Sequence, residues 1–206
     1  PDVIIIPGSK QTIKDLEIMN KAGLSEQIKN YAKNGGTIFG ICGGLQMLGE
    51  SLNDPYYHES NKSIKSFSHE GMGLLPLSTT FRDFKHTSQR EEIISWPEKE
   101  KINGFEMHYG ESQLIDKKSS AINPLFKGKG LGWVSEKSDN SFVGGTYLHG
   151  IFENNKWRRQ WINKIRQKKG LNKLENNEAS YNKKREFLLD HLADSFEKHI
   201  CMENLI

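Results

Sequence analysis

Cys42 sits in the run Gly40-Ile41-Cys42-Gly43-Gly44, with an apolar, β-branched stretch before it and helical spacing after it. A thiol at a sharp strand-to-helix turn is held clear of its sheet, and small neighbours let such a strained turn close. The first turn of the following helix would also favour the thiolate, because the helix dipole is positive there. That combination suits nucleophilic attack on a carbonyl carbon. Buried, inert cysteines are common too, but a passive core cysteine needs no glycine on either side.

A cysteine nucleophile needs a base. Of the seven histidines, His149 in Thr146-Tyr147-Leu148-His149-Gly150 is the best placed. It ends a predicted strand and precedes a glycine, the setting of a catalytic loop residue in an open α/β sheet; a plain turn histidine is the alternative. Pro7-Gly8-Ser9-Lys10 closes another apolar strand. Backbone N–H groups near Gly8, with the Gly43 N–H as the other half, can form an oxyanion hole, although an ordinary βα turn reads the same. Gln46 lies about one helical turn beyond Cys42, so its amide either reaches a substrate over the thiol or is solvated.

The elements that position these groups follow from periodicity. Residues 3–6 and 37–41 are continuous apolar runs, as expected of strands covered on both faces in a parallel sheet. Residues 12–34 have helical spacing interrupted near Gly23, predicting two helices. A further helix follows Cys42 and carries Leu45, Met47, Leu48 and Leu52. This order argues for an α/β fold with an open, mostly parallel sheet flanked by helices. Residues 74–81 predict a strand that Pro76 places at an edge or break. Residues 86–101 are polar, with a short strand at 93–94. Residues 105–109, 132–134 and 142–148 predict short strands of a mixed or antiparallel section. Residues 157–168 predict a helix, 170–180 a loop, and 181–200 a long amphipathic helix whose apolar stripe is Phe187, Leu188, Leu192, Phe196 and Ile200. One domain over residues 1–206 accommodates all of this.

Composition excludes several classes. Lys+Arg 29 against Asp+Glu 26 leaves a net charge of +3, spread along the chain, which gives no nucleic-acid footprint. The two cysteines, Cys42 and Cys201, lie far apart and have no metal-ligand spacing, so a reducing, cytoplasmic setting and no metal site are expected. No apolar run approaches the roughly 18 residues that span a bilayer. No phosphate-binding G-x-x-x-x-G-K-[ST] occurs, so no cofactor is expected on this chain. The chain opens at Pro1-Asp2 directly before a strand, which suggests a fragment of a longer polypeptide.

Taken in order, four segments resemble class I glutamine amidotransferases, and within them the cobyric acid synthase family of the cobalamin pathway. They are Pro7-Gly8-Ser9-Lys10 with Thr12, residues 40–49 around Cys42, Gly104-Phe105-Glu106-Met107-His108-Tyr109-Gly110, and residues 145–152 around His149. The resemblance extends to the terminal helix and so covers essentially the whole chain. It implies a flavodoxin-like fold whose opening strand or strands are missing. It implies that Cys42 attacks the side-chain amide of glutamine to give a thioester and ammonia, with His149 as base. Gly8 and Gly43 would supply the oxyanion hole, and Ser9, Gln46 and His108 would line the substrate site. Ammonia would pass to an N-terminal synthetase domain, absent here, which uses ATP and Mg to amidate a corrinoid acceptor. Two departures stand out. Ile151 occupies the place where many class I members carry a histidine-orienting Glu, which leaves a Cys–His dyad with Glu153 as the nearest acid in sequence. Glu111-Ser112 stands where the family often has a basic residue. Rival readings are a cysteine hydrolase of the α/β-hydrolase type, a sister amidotransferase acting on cobyrinic acid or on a cell-wall precursor, and a non-catalytic domain that kept the fold. The last would be expected to lose Cys42 or His149.

Overall fold

The computed structural model describes residues 1–59, 67–115, 122–176 and 181–199; Ile200 and Cys201 lie outside them. The chain runs β1 (Ile4–Ile6), α1 (Thr12–Lys21), α2 (Leu24–Lys33), β2 (Ile38–Ile41), α3 (Gly43–Leu48), β3 (Ser51–Asn53), β4 (Ser68–Glu70), β5 (Leu77–Ile94), β6 (Glu100–Leu114), β7 (Asn123–Pro124), β8 (Gly132–Glu136), β9 (Phe142–Thr146), β10 (Leu148–His149), α4 (Asn155–Lys168) and α5 (Tyr181–His199). Two sheets form, in the orders β1-β2-β9-β8-β7 and β10-β6-β5-β3-β4. In the first, β1, β2 and β9 are parallel, and β8 and β7 continue it antiparallel. The second is antiparallel apart from the parallel pair β3–β5. The α/β class and the flanking helices are those expected from the sequence, but in place of one mostly parallel sheet there are two mixed sheets, whose parallel pairs are β1–β2, β2–β9 and β3–β5.

Local chemistry explains the boundaries. Gly23 adopts φ 70°, a left-handed conformation that breaks the helical run into α1 and α2. Behind β2, Phe39 meets Phe152, Trp157 and Trp161 with ring centroids 6.0 Å apart in each case, so α4 is pinned to the sheet by aromatic packing. Each such buried ring contributes on the order of 2–3 kcal/mol.

Four expectations are corrected. The helix after Cys42 ends at Leu48, because Gly49 turns extended, and Leu52 lies in β3. The polar stretch 86–101 is mostly strand, since β5 runs unbroken to Ile94 opposite β6, apart from a register shift between Phe81 and His86. It escapes an apolar-alternation search because residues 82–93 of β5 alternate between half-buried and exposed positions with none fully buried, and most of them are polar. The strand predicted over 142–148 is split at Tyr147, β9 joining one sheet and β10 the other. Finally, α5 is present, but Phe187, Leu188, Leu192 and Phe196 are all exposed, so its apolar stripe faces outward instead of closing a core. The helix touches the body through Tyr181 N–H on Asn155 Oδ1 and an Arg185–Glu153 pair.

Candidate active site

β2 delivers Cys42 to a turn of unusual backbone. Its φ is 50° and ψ is −109°, a region that costs a non-glycine residue about 1–3 kcal/mol. The turn is held by Cys42 N–H donating to the Thr146 carbonyl at 2.8 Å and by Gln46 N–H donating to the Cys42 carbonyl at 3.1 Å. The glycines are steric necessities: a Cβ on Gly44 would land on the Ile6 carbonyl oxygen, and one on Gly40 on the backbone of Gly44 and Leu45. The same tightness brings the Pro7–Lys10 turn over the thiol. A Cβ on Gly8 would stand 3.4 Å from His149 Cε1 and 3.7 Å from Cys42 Cβ, and one on Gly43 would stand 2.9 Å from Ser9 N.

His149 reaches the same place from the other sheet, paired in register with Phe105 through β10 and β6, with its ring stacked on Phe105 at 5.0 Å. The left-handed Gly150 that follows (φ 76°) turns the chain away immediately after it. The ring bonds to the backbone of Met107. Its Nε2 is buried with no hydrogen-bond partner among the described residues. The Cys42 thiol donates to the Met107 carbonyl oxygen at 3.5 Å. One carbonyl thus engages both groups. Glu153 faces Arg185 on α5 at 3.7 Å, and Met107, not a carboxylate, is what His149 leans on.

Burial favours the neutral form of both groups. Burial pushes the Cys42 thiol up to about 11, further raised by the nearby Glu59 charge and only partly offset by the Gly43 N–H and Lys85. The helix-end stabilisation expected of the turn is therefore present but outweighed. Burial also lowers His149 from the usual imidazole value of 6.5, although its bond to Met107 acts the other way.

Around this pair lies a cavity of about 580 Å³, lined among others by Gly8, Ser9, Gln46, Glu59, Lys85 and His108. That volume suits a small molecule. The candidate residues arrive with different degrees of freedom. The Ser9 hydroxyl is committed to its own turn, donating to Asp15 Oδ2 and accepting from Gln11 N–H. Gln46 is locked at both ends: its Oε1 accepts from Thr12 Oγ1 and its Nε2 donates to Tyr147 Oη, each at 3.2 Å. Tyr147 in turn bonds Ser112, which bonds Thr79, both at 2.7 Å. Ser112 therefore continues the chain of bonds from the cavity, while Glu111 pairs with Arg82 at the surface.

His108 is stacked on Tyr147 at 3.9 Å and bonds Glu106 Oε1 through Nε2 at 2.7 Å. Burial alone would raise Glu106, but the bonds from His108 and Arg90 outweigh it and hold the carboxyl down at about 2. An ionised carboxylate only accepts, so His108 Nε2–H is the donor and its buried Nδ1 has no partner among the described residues.

Sequence reading missed Met107, Glu106, Tyr147 and Glu59. Met107 acts through its main chain, which no residue type announces. Glu106 and His108 stand two apart on a strand and so share a face, a signal that was available. Glu59 belongs to no recognisable motif.

Comparison with known proteins identifies the family. A model of the CobB/CobQ-like glutamine amidotransferase domain matches residues 1–157. The whole chain is 68% identical to the cobyric acid synthase of Prochlorococcus marinus strain NATL2A, covering 41% of it. It is 46% identical to the cobyric acid synthase of Synechococcus sp. strain CC9605. The chain thus spans about 41% of the length of the first of these relatives. A crystal structure of a glutamine amidotransferase shares the fold, with a TM-score of 0.56 at 12% identity over 82% of this chain and 80% of that one. No described helix is long and apolar enough to cross a membrane.

Proposed function

The chain belongs to the CobB/CobQ-like glutamine amidotransferase domain family, and on that premise we propose that Cys42 and His149 hydrolyse glutamine here on behalf of a cobyric acid synthase. His149 Nε2 takes the thiol proton as Cys42 Sγ attacks the side-chain amide carbon. The carbonyl electron pair moves onto oxygen, where backbone N–H groups near Gly8 and Gly43 receive it. His149 returns the proton to nitrogen, the C–N bond breaks and ammonia leaves. Water activated by the same imidazole then cleaves the γ-glutamyl thioester, releasing glutamate and restoring the thiol. The ammonia would serve an ATP- and Mg-dependent amidation of corrinoid carboxylates, converting adenosylcobyrinic acid a,c-diamide to adenosylcobyric acid on the rest of such a synthase.

The observation that carries this reading is the convergence at one carbonyl. Cys42 S–H and the His149 ring both bond Met107, beneath a turn whose Gly8 lies against both side chains. On this reading Nδ1–H donates to Met107, which orients the ring as a triad carboxylate does elsewhere and leaves Nε2 as the base. The test is covalent labelling with an electrophilic glutamine analogue, read by mass spectrometry with Cys201 as internal control. Selective modification of Cys42 that excess glutamine blocks is expected; equal labelling of both cysteines, or no protection by glutamine, would overturn the assignment.

A further inference from the structure

Hydrolysis at Cys42 concerns only the amide end of the substrate, and the charged residues of the cavity speak to the other end. Among the described residues lining it, Glu59 is the one carboxylate, and it stands with Lys10 and Lys85 as the formal charges there. We propose that Glu59 receives the α-ammonium group of the substrate and so selects an α-amino acid amide over simple primary amides, with Lys85 facing the α-carboxylate. This rests on the glutaminase reading and names the group that makes it specific.

Three observations support the assignment. First, Glu59 is fixed in place: it accepts hydrogen bonds from the N–H groups of Thr12 and Ile13 at the head of α1. Those two bonds occupy about half of the roughly four acceptor positions of a carboxylate, leaving the others for a cation. Second, Glu59 and Lys85 both lie close enough to Cys42 to act on its charge, with opposite signs. The thiol therefore lies within reach of one negative and one positive group, charges that complement those of a zwitterionic amino acid. Third, Glu59 is poorly stabilised without a partner. Burial raises its carboxyl to about 7, with Asp54 and Asp15 adding to the rise against the two backbone bonds. An ammonium group beside it favours the ionised form, so ionisation of the carboxyl and binding of the cation support each other.

The experiment compares two electrophiles on the intact chain: a diazo-ketone analogue of glutamine and its des-amino counterpart. The rate of Cys42 modification is followed by mass spectrometry as a function of concentration. The wild-type chain is expected to react with the amino compound about 10- to 100-fold faster than with the des-amino one, as for loss of a charged hydrogen bond. Glu59→Gln should collapse that ratio toward one, chiefly through weaker binding, and Glu59→Asp, which keeps the charge, should retain part of it. A wild-type ratio near one would overturn the proposal without reference to any variant. So would a Glu59→Gln chain that slows both compounds equally, the signature of a purely structural cap. Labelling of Cys42 by both compounds at equal rates would leave the glutaminase reading standing while removing Glu59 from it. Failure of the amino compound to modify wild-type Cys42 would remove both.

Discussion

The glycine-rich turns after β1 and β2 and the polar hairpin β5–β6 border the same cavity, yet they build it by different means. The first region works through close approach of backbones. Cys42 holds a strained φ because Gly40, Gly43 and Gly44 let three segments press together with no side chains between them. The second works through charge and hydrogen bonding. Its buried face carries Glu106, His108 and Ser112 in place of apolar residues, and its main chain presents the Met107 carbonyl to both reactive groups. The lesson is that nucleophile and base are placed by unlike physics, so damage to each should leave unlike signatures.

The largest effect falls on the nucleophile itself. Cys42→Ser keeps the geometry of the turn but replaces the thiol with a hydroxyl of much higher pKa, and the neutral His149 is a weak base for it. Glutamine hydrolysis is expected to drop by roughly a thousandfold or more, measured as glutamate release, with an unchanged circular-dichroism spectrum. Residual activity within tenfold of wild type would end the thioester mechanism.

Next in size is a test of the steric half. Gly44→Ala drives a methyl group into the Ile6 carbonyl, backbone against backbone, where no side chain can yield. A loss of about 3 kcal/mol in denaturant unfolding is expected. A variant of wild-type stability would show that β1 and α3 pack less tightly than described.

The electrostatic half answers to pH instead. Glu106→Gln removes the charge that His108 and Arg90 bond, and should cost roughly 2 kcal/mol at neutral pH. The native Glu106 carboxyl sits at about 2, below its ordinary 4.5. A depressed acid contributes stability above its unfolded value and loses it as pH falls through the folded one. The gap between wild type and Glu106→Gln should therefore be constant above pH 5 and close between about 4.5 and 2. A gap that stays constant down to pH 2 would mean that the amide fails for reasons of shape.

The two regions also differ in how far the sequence exposes them. The strand–turn–helix around Cys42 was legible because close approach demands glycine, and a glycine pattern survives in one-dimensional text. His149 was legible from its strand-end position. The hairpin was legible only in part, because residues 82–93 of β5 are polar and never fully buried, so they imitate a solvated loop, and because a carbonyl carries no residue signature. The extent of α3 was overread, since Leu52 continues the helical spacing past Gly49 while the backbone does not. The outward apolar face of α5 was unreadable for another reason: a hydrophobic stripe states that a face seeks cover and says nothing of where cover lies.

The smallest expected effect sharpens the comparison most, because it asks whether the Met107 carbonyl alone orients the base. Glu153 lies four residues beyond His149 and is its nearest acid in sequence. In the structure the chain turns at Gly150, and the Glu153 carboxylate lies 3.7 Å from Arg185 on α5, with both side chains about half exposed. Exposed pairs of this kind contribute about 0–1 kcal/mol. Glu153→Gln should therefore change glutamine hydrolysis by less than about twofold, with the acid limb of its pH profile still below 6.5, where burial places His149. If the carboxylate instead swings to the imidazole during turnover, it would stabilise the charged ring. Its removal would then cost far more than twofold and shift that limb to lower pH. Either displacement would move the orienting role from the hairpin's main chain to a side chain on the far side of Gly150.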